Sequence, residues 1–177
     1  MKRLFTAKRF LTGLSILIML GISLTTLTNS GGAPGGYTNA PSEANCTSCH
    51  TGSLQTTGTN YNNISLSGSF TGGGYIPDSS YTITLSYSHS GKSKFGFQLT
   101  CLDNDDDMAG SFTNLNNKTS MTSATVSGAT RSYMRQTSSG NSGSGSISWS
   151  FKWTAPSSNL DTVVFYTIVN SANGSGT

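Results

Sequence analysis

From residue 81 to residue 87 apolar and polar side chains alternate without exception: Tyr81, Ile83, Leu85 and Tyr87 are separated by Thr82, Thr84 and Ser86. The same period of two recurs in Phe95, Phe97, Leu99 and Cys101, and again in Ile147, Trp149, Phe151 and Trp153. A strand points successive side chains to opposite faces, so each run makes one apolar and one polar face, the signature of a half-buried sheet. Turn residues separate the runs. The pattern predicts strands near 64–70, 81–89, 94–102, 111–115, 124–127, 131–137, 146–153 and 162–169, an all-β sandwich or barrel. Composition agrees: 34% of residues are hydrophobic and only 10% charged, and the many Gly, Ser, Thr and Asn residues suit short strands and turns.

Two segments carry expectations of their own. Val163, Val164, Phe165, Tyr166, Ile168 and Val169 are apolar almost without a break, which predicts a central strand covered on both faces. Residues 138–146 are Gly, Ser and Asn only, too little apolar surface to order a chain, and are expected to form a mobile hairpin loop.

Residues 1–30 have a basic start, an apolar stretch from Phe10 to Leu24 and a small, polar end at Thr28, Asn29 and Ser30, the three regions of a secretory signal peptide. A secreted, periplasmic or cell-surface protein is expected, with an uncleaved N-terminal anchor as the alternative. Lys2, Arg3, Lys8 and Arg9 lie in that segment, so the remainder carries a formal charge of −1 in place of the whole chain's +3. No basic stripe interleaved with aromatics remains, which excludes nucleic acid as a partner. The domain plan is a signal over 1–30, a Gly/Pro-rich segment over 31–57, read as an extended lead-in ahead of the core, and the folded domain over 58–177.

The chemistry lies in Cys46-Thr47-Ser48-Cys49-His50. Cys-x-x-Cys-His is the attachment motif of c-type haem. Two thiols at this spacing can add to the two vinyl groups on one porphyrin edge, and the adjacent His then reaches the iron. The alternatives are a disulfide between Cys46 and Cys49 and a zinc site completed by Cys101 or His89. A thioredoxin-like site would need a βαβ setting. His89, the only other histidine, and the thioethers of Met108, Met121 and Met134 are the candidate sixth ligands, with His89 and Met134 foremost; an open sixth position would favour peroxidase-like chemistry. Cys101 is expected as a buried thiol, and the run from Asp103 to Asp107 as an acidic turn with Ca²⁺ as a weaker option. One glutamate, Glu43, and two histidines do not assemble a paired-carboxylate glycosidase or a Ser-His-Asp hydrolase, so no enzyme is expected.

The stretch from Gly32 to His50, the Lys94-Phe95-Gly96-Phe97-Gln98-Leu99 run, the Trp149 to Pro156 run and Val164-Phe165-Tyr166 with Asn170 to Gly174 resemble bacterial Reeler-like domain proteins of the choice-of-anchor type. The resemblance implies an Ig-like antiparallel β-sandwich and a secreted or surface setting. It also implies a further strand and an anchoring signal beyond the Asn-Gly segment, so that the chain would be truncated, and a His in many relatives where this chain has Gln136. Motif and resemblance together give the expected function: an exported monohaem c-type cytochrome passing electrons to a redox partner protein or an extracellular acceptor. The alternative is a surface adhesion or recognition sandwich with structural haem or none.

Overall fold

The computed structural model describes residues 30–70 and 72–174. The expected signal peptide or anchor lies outside them, apart from Ser30. Among the described residues eight strands form two antiparallel four-stranded sheets. One sheet holds β1 (Ile64–Gly68), β2 (Ser80–Ser88), β7 (Ser146–Thr154) and β4 (Ser111–Asn114) in the order β1-β2-β7-β4. The other holds β5 (Thr119–Val126), β6 (Ala129–Gln136), β3 (Lys94–Leu102) and β8 (Val164–Ala172) in the order β5-β6-β3-β8.

The alternating runs of β2 and β7 lie side by side in one sheet and face that of β3 in the other. Tyr81 pairs with Trp153, Ile83 with Phe151 and Leu85 with Trp149, and Phe97, Leu99 and Cys101 meet them from β3 in one buried cluster. The Phe97 and Trp149 rings lie 4.6 Å apart. Burying each such side chain contributes about 1.5–3 kcal/mol, so this cluster is the main source of the fold's stability. Trp149 and Trp153 satisfy their indole N–H groups on Gly140 O at 2.6 Å and Ala109 O at 2.9 Å, which removes the cost of burying them.

Three expectations are corrected. The apolar run at 163–169 is not a central strand: β8 is the edge of its sheet and pairs only with β3. Its inward residues Phe165 and Val169 pack on the core, while Ile168, on the opposite face, is buried outside that core cluster and Val164 is 37% exposed. The 31–45 segment lies on that outer face of the sheet, held by Gln98, the register partner of Ile168.

That segment is the second correction, because it is docked on the outer face of the β5-β6-β3-β8 sheet and does not stand ahead of the core. The Gln98 amide donates to Pro34 O at 2.7 Å and its Oε1 accepts from Tyr37 N at 2.7 Å. Arg135 donates to Ala33 O at 2.7 Å. Gly35 has no Cβ because one would meet the Tyr133 ring and Ser123 O at 2.8–2.9 Å. The anchor is Glu43, which takes hydrogen bonds from Arg131, Tyr133 and Thr38.

The third concerns residues 138–146, which are tied down and not a free loop. Phe95 N donates to Asn141 O at 2.8 Å, Gly143 N to Ser93 O at 3.1 Å and His89 N to Gly145 O at 2.8 Å. Backbone hydrogen bonds, not apolar burial, hold this Gly/Ser stretch.

Candidate functional site

The Cys-x-x-Cys-His motif is wound into a single helical turn. Asn45 caps it, its Oδ1 accepting from Thr47 N at 2.9 Å and Thr47 Oγ1 at 2.6 Å. Cys49 N and His50 N both donate to Cys46 O, at 3.3 and 2.9 Å. These bonds wrap the chain once around Cys46, whose thiol feels that of Cys49, while the three side chains do not converge on one point. Asn45 Nδ2 also donates to Asn39 Oδ1 at 3.2 Å, which ties the turn to the docked strap.

Cys46 is half-buried and Cys49 and His50 are exposed. Neither cysteine is in a disulfide. Burial raises the Cys46 thiol above its ordinary value, with a smaller contribution from Cys49 in the same direction, a setting unfavourable to the zinc thiolate. Among the described residues no three His, Cys, Asp or Glu side chains gather as a metal site.

Cys46 and His50 line a groove of about 820 Å³, within the roughly 300–1,000 Å³ range of cofactor sites. It follows the flank of the sandwich where the two edge strands β1 and β8 come side by side: Ile64 and Leu66 form one wall, and Phe165 to Ser171 the other. The apolar edge run misread as a central strand is therefore a groove wall. Residues 47–59 close the rim and are exposed along their whole length, Leu54 included.

His89 also lines this groove. It follows β2, two residues beyond Tyr87, on the inward side of its sheet, and is half-buried. Its Nδ1 lies 2.8 Å from Ser171 Oγ on β8 and 3.2 Å from Tyr87 Oη, so the ring bridges the two sheets. Nε2 has no hydrogen-bond partner among the described residues, yet it is not sealed away from the surface.

The remaining candidates lie elsewhere. Met134 is 0% exposed in the core between the sheets, which removes it as a sixth ligand: a thioether sealed behind β6 cannot reach the groove. Met121 is exposed on β5, and Met108 packs at the core edge, where Thr100 Oγ1 approaches its sulfur at 3.7 Å. Gln136 is buried and accepts from Phe97 N at 2.9 Å, completing the short β3–β6 ladder. A His at that position would serve the sheet, not the groove. Cys101 is fully buried, as expected, and burial raises its thiol far above the ordinary range, so it cannot complete a zinc set with Cys46. The Asp103 carboxylate is engaged by Asp105 N and Asp107 N at 3.0 and 2.9 Å, an Asx-type turn built on its own backbone.

Fold and site define an all-β, two-sheet antiparallel sandwich carrying a cysteine-histidine turn beside a flank groove. The chain belongs to the Reeler domain family, whose model matches residues 44–173 and so spans both the motif and the groove walls. Among solved structures, the reeler domain of human F-spondin is similar at 20% identity, covering 63% of this chain and 77% of that one with a TM-score of 0.46. A second fragment of it is similar at 21% identity, over 61% and 78% with a TM-score of 0.45. The Reelin-N domain of F-spondin gives 22% identity, 63% and 74% coverage and a TM-score of 0.45. No curated protein matches the chain.

Proposed function

We propose that this Reeler-family sandwich is an exported monohaem c-type cytochrome that carries electrons at the cell envelope or surface. The observation that supports it is that the Cys-x-x-Cys-His turn lies on the rim of a cofactor-sized groove that Cys46 and His50 both line. The two thiols at this spacing would hold a haem through thioether bonds. Cys46 and Cys49 would be its covalent anchors and His50 would coordinate its iron. The bound haem supplies one-electron chemistry.

The chain's own residues supply position and environment. Asn45 and the strap fix the turn, and Ile64, Leu66, Phe165 and Ile168 provide an apolar wall that excludes water from one side of the groove. Surface charge does little to choose a partner, since the residues after position 30 sum to only −1.

A second reading is a surface recognition module, favoured by the family's sandwich scaffold, which by itself says nothing of chemistry. Intact-mass measurement on protein exported from a host with c-type haem maturation separates the two. A gain of one haem, lost in Cys46→Ser/Cys49→Ser, supports the cytochrome. An unmodified chain beside a normally matured control cytochrome supports the recognition module.

A further inference from the structure

We infer, resting on the cytochrome reading, that His89 is the second axial ligand and that Ser171 and Tyr87 are its positioning residues, which makes the site six-coordinate and closed to small-molecule substrates.

Four observations carry this. First, His50 and His89 line the same groove although they come from different parts of the chain. Second, the His89 backbone is fixed on both sides, its N–H donating to Gly145 O at 2.8 Å and its carbonyl accepting from Lys92 N at 3.2 Å. Third, the ring is fixed as well: Nδ1 faces Ser171 Oγ at 2.8 Å, and the Tyr87 ring stands nearly perpendicular to it at 6.1 Å. Metal-bound histidines usually donate their remote N–H to an oxygen, which sets the tautomer and the ring direction. In the tautomer that gives Nδ1–H to Ser171 Oγ, Nε2 carries a lone pair that no described residue engages.

The fourth observation is by elimination. Met134 is sealed in the core, and neither Met108 nor Met121 lines the groove. His50 and His89 are the only histidines of the chain, so two-histidine ligation in a monomer can come from no other pair. Such ligation gives a lower potential than a His/Met pair and leaves no open iron position for peroxide, which fits an electron carrier and not a haem enzyme.

The test is near-infrared magnetic circular dichroism and electron paramagnetic resonance on the oxidised, monomeric holoprotein. A low-spin signal with the two-histidine charge-transfer band is expected. His89→Ala should retain covalent haem, become high-spin and gain binding of cyanide and imidazole. Ser171→Ala should keep the low-spin state with a shifted potential, an effect that a merely structural role would not produce. A high-spin or His/Met signal in the wild type overturns the inference while leaving the cytochrome standing, as does a His89→Ala spectrum identical to wild type. A colourless chain overturns the cytochrome reading itself. If His89→Ala fails to fold, the wild-type spectra decide alone.

Discussion

Glu43 Oε1 lies 2.9 Å from Arg131 Nη1, with the two side chains 0% and 4% exposed, so a buried ion pair joins the strap to strand β6 across 88 residues of sequence. Its remaining valences are mostly met: Thr38 Oγ1 and Tyr133 Oη donate to the carboxylate at 2.6 and 2.8 Å, and Arg131 donates to Pro41 O and Asp106 O at 2.8 Å each. Only Arg131 Nε is left without a partner.

Removing one member of such a pair leaves an uncompensated buried charge. Glu43→Gln is expected to destabilise the domain by about 3–5 kcal/mol, read from the shift of a denaturant midpoint. Because the Cys46 turn hangs from the same strap, this variant should also mature less haem. The double variant Glu43→Gln/Arg131→Met should recover part of the loss, since it removes the orphaned charge.

Tyr133 gives the same network a pH dependence. Burial, and after it the hydrogen bond to Glu43, push its phenol above the ordinary value. A raised folded-state value means that the unfolded chain loses this proton first. The contribution is therefore complete below about pH 10, where free tyrosine titrates, and is lost as pH rises beyond it. Urea midpoints of wild type and Tyr133→Phe should differ at pH 8 and converge in strongly alkaline solution. A constant difference across that range would show that Tyr133 is not coupled to folding.

Much of the fold was legible because period-two alternation is a local signal. β3 falls on the expected residues, and β2 and β7 agree within one residue at each end. Cys101 is buried because its place in the Phe95, Phe97, Leu99 alternation puts it on the inner face. What alternation cannot report is how a second layer covers an outer face. The strap is Gly- and Pro-rich and reads as a lead-in, yet Gln98, Arg131 and Arg135 hold its backbone through polar contacts that have no period. β8 misled because its apolar run lines the flank groove at the edge of the sheet. Of the candidate site, spacing alone singled out the cysteines and His50, and the groove that Cys46 and His50 line had no local signal. The contact between His89 and Ser171 joins residues 82 apart, which no local pattern reports.

The tied-down 138–146 segment makes a prediction that its composition would not. Gly140 is buried, and a Cβ there would strike Lys118 O, while its carbonyl takes the Trp149 indole. Gly140→Ala is expected to cost about 1–3 kcal/mol through forced backbone shifts. Gly128→Ala is a comparison at an open turn where a Cβ meets nothing, although φ is +87°; it should cost about 1 kcal/mol. Thermal midpoints of the two variants check the order.

Thiol counting separates the three cysteines. Cys101 is fully buried and holds its proton, so in folded, haem-free protein an alkylating reagent should modify Cys46 and Cys49 and leave Cys101 until denaturant is added. Matured protein should offer no reactive thiol when folded and one when unfolded. Peptide mapping after alkylation reads both states.

Covalent haem on Cys46 and Cys49 is read out by a pyridine haemochrome spectrum of protein from an exporting host with c-type maturation, taken after acid-acetone extraction has stripped non-covalent haem. A retained c-type α-band at one haem per chain, abolished in Cys46→Ser/Cys49→Ser, is the expected result. A colourless protein from cells in which a control cytochrome matures normally would contradict it.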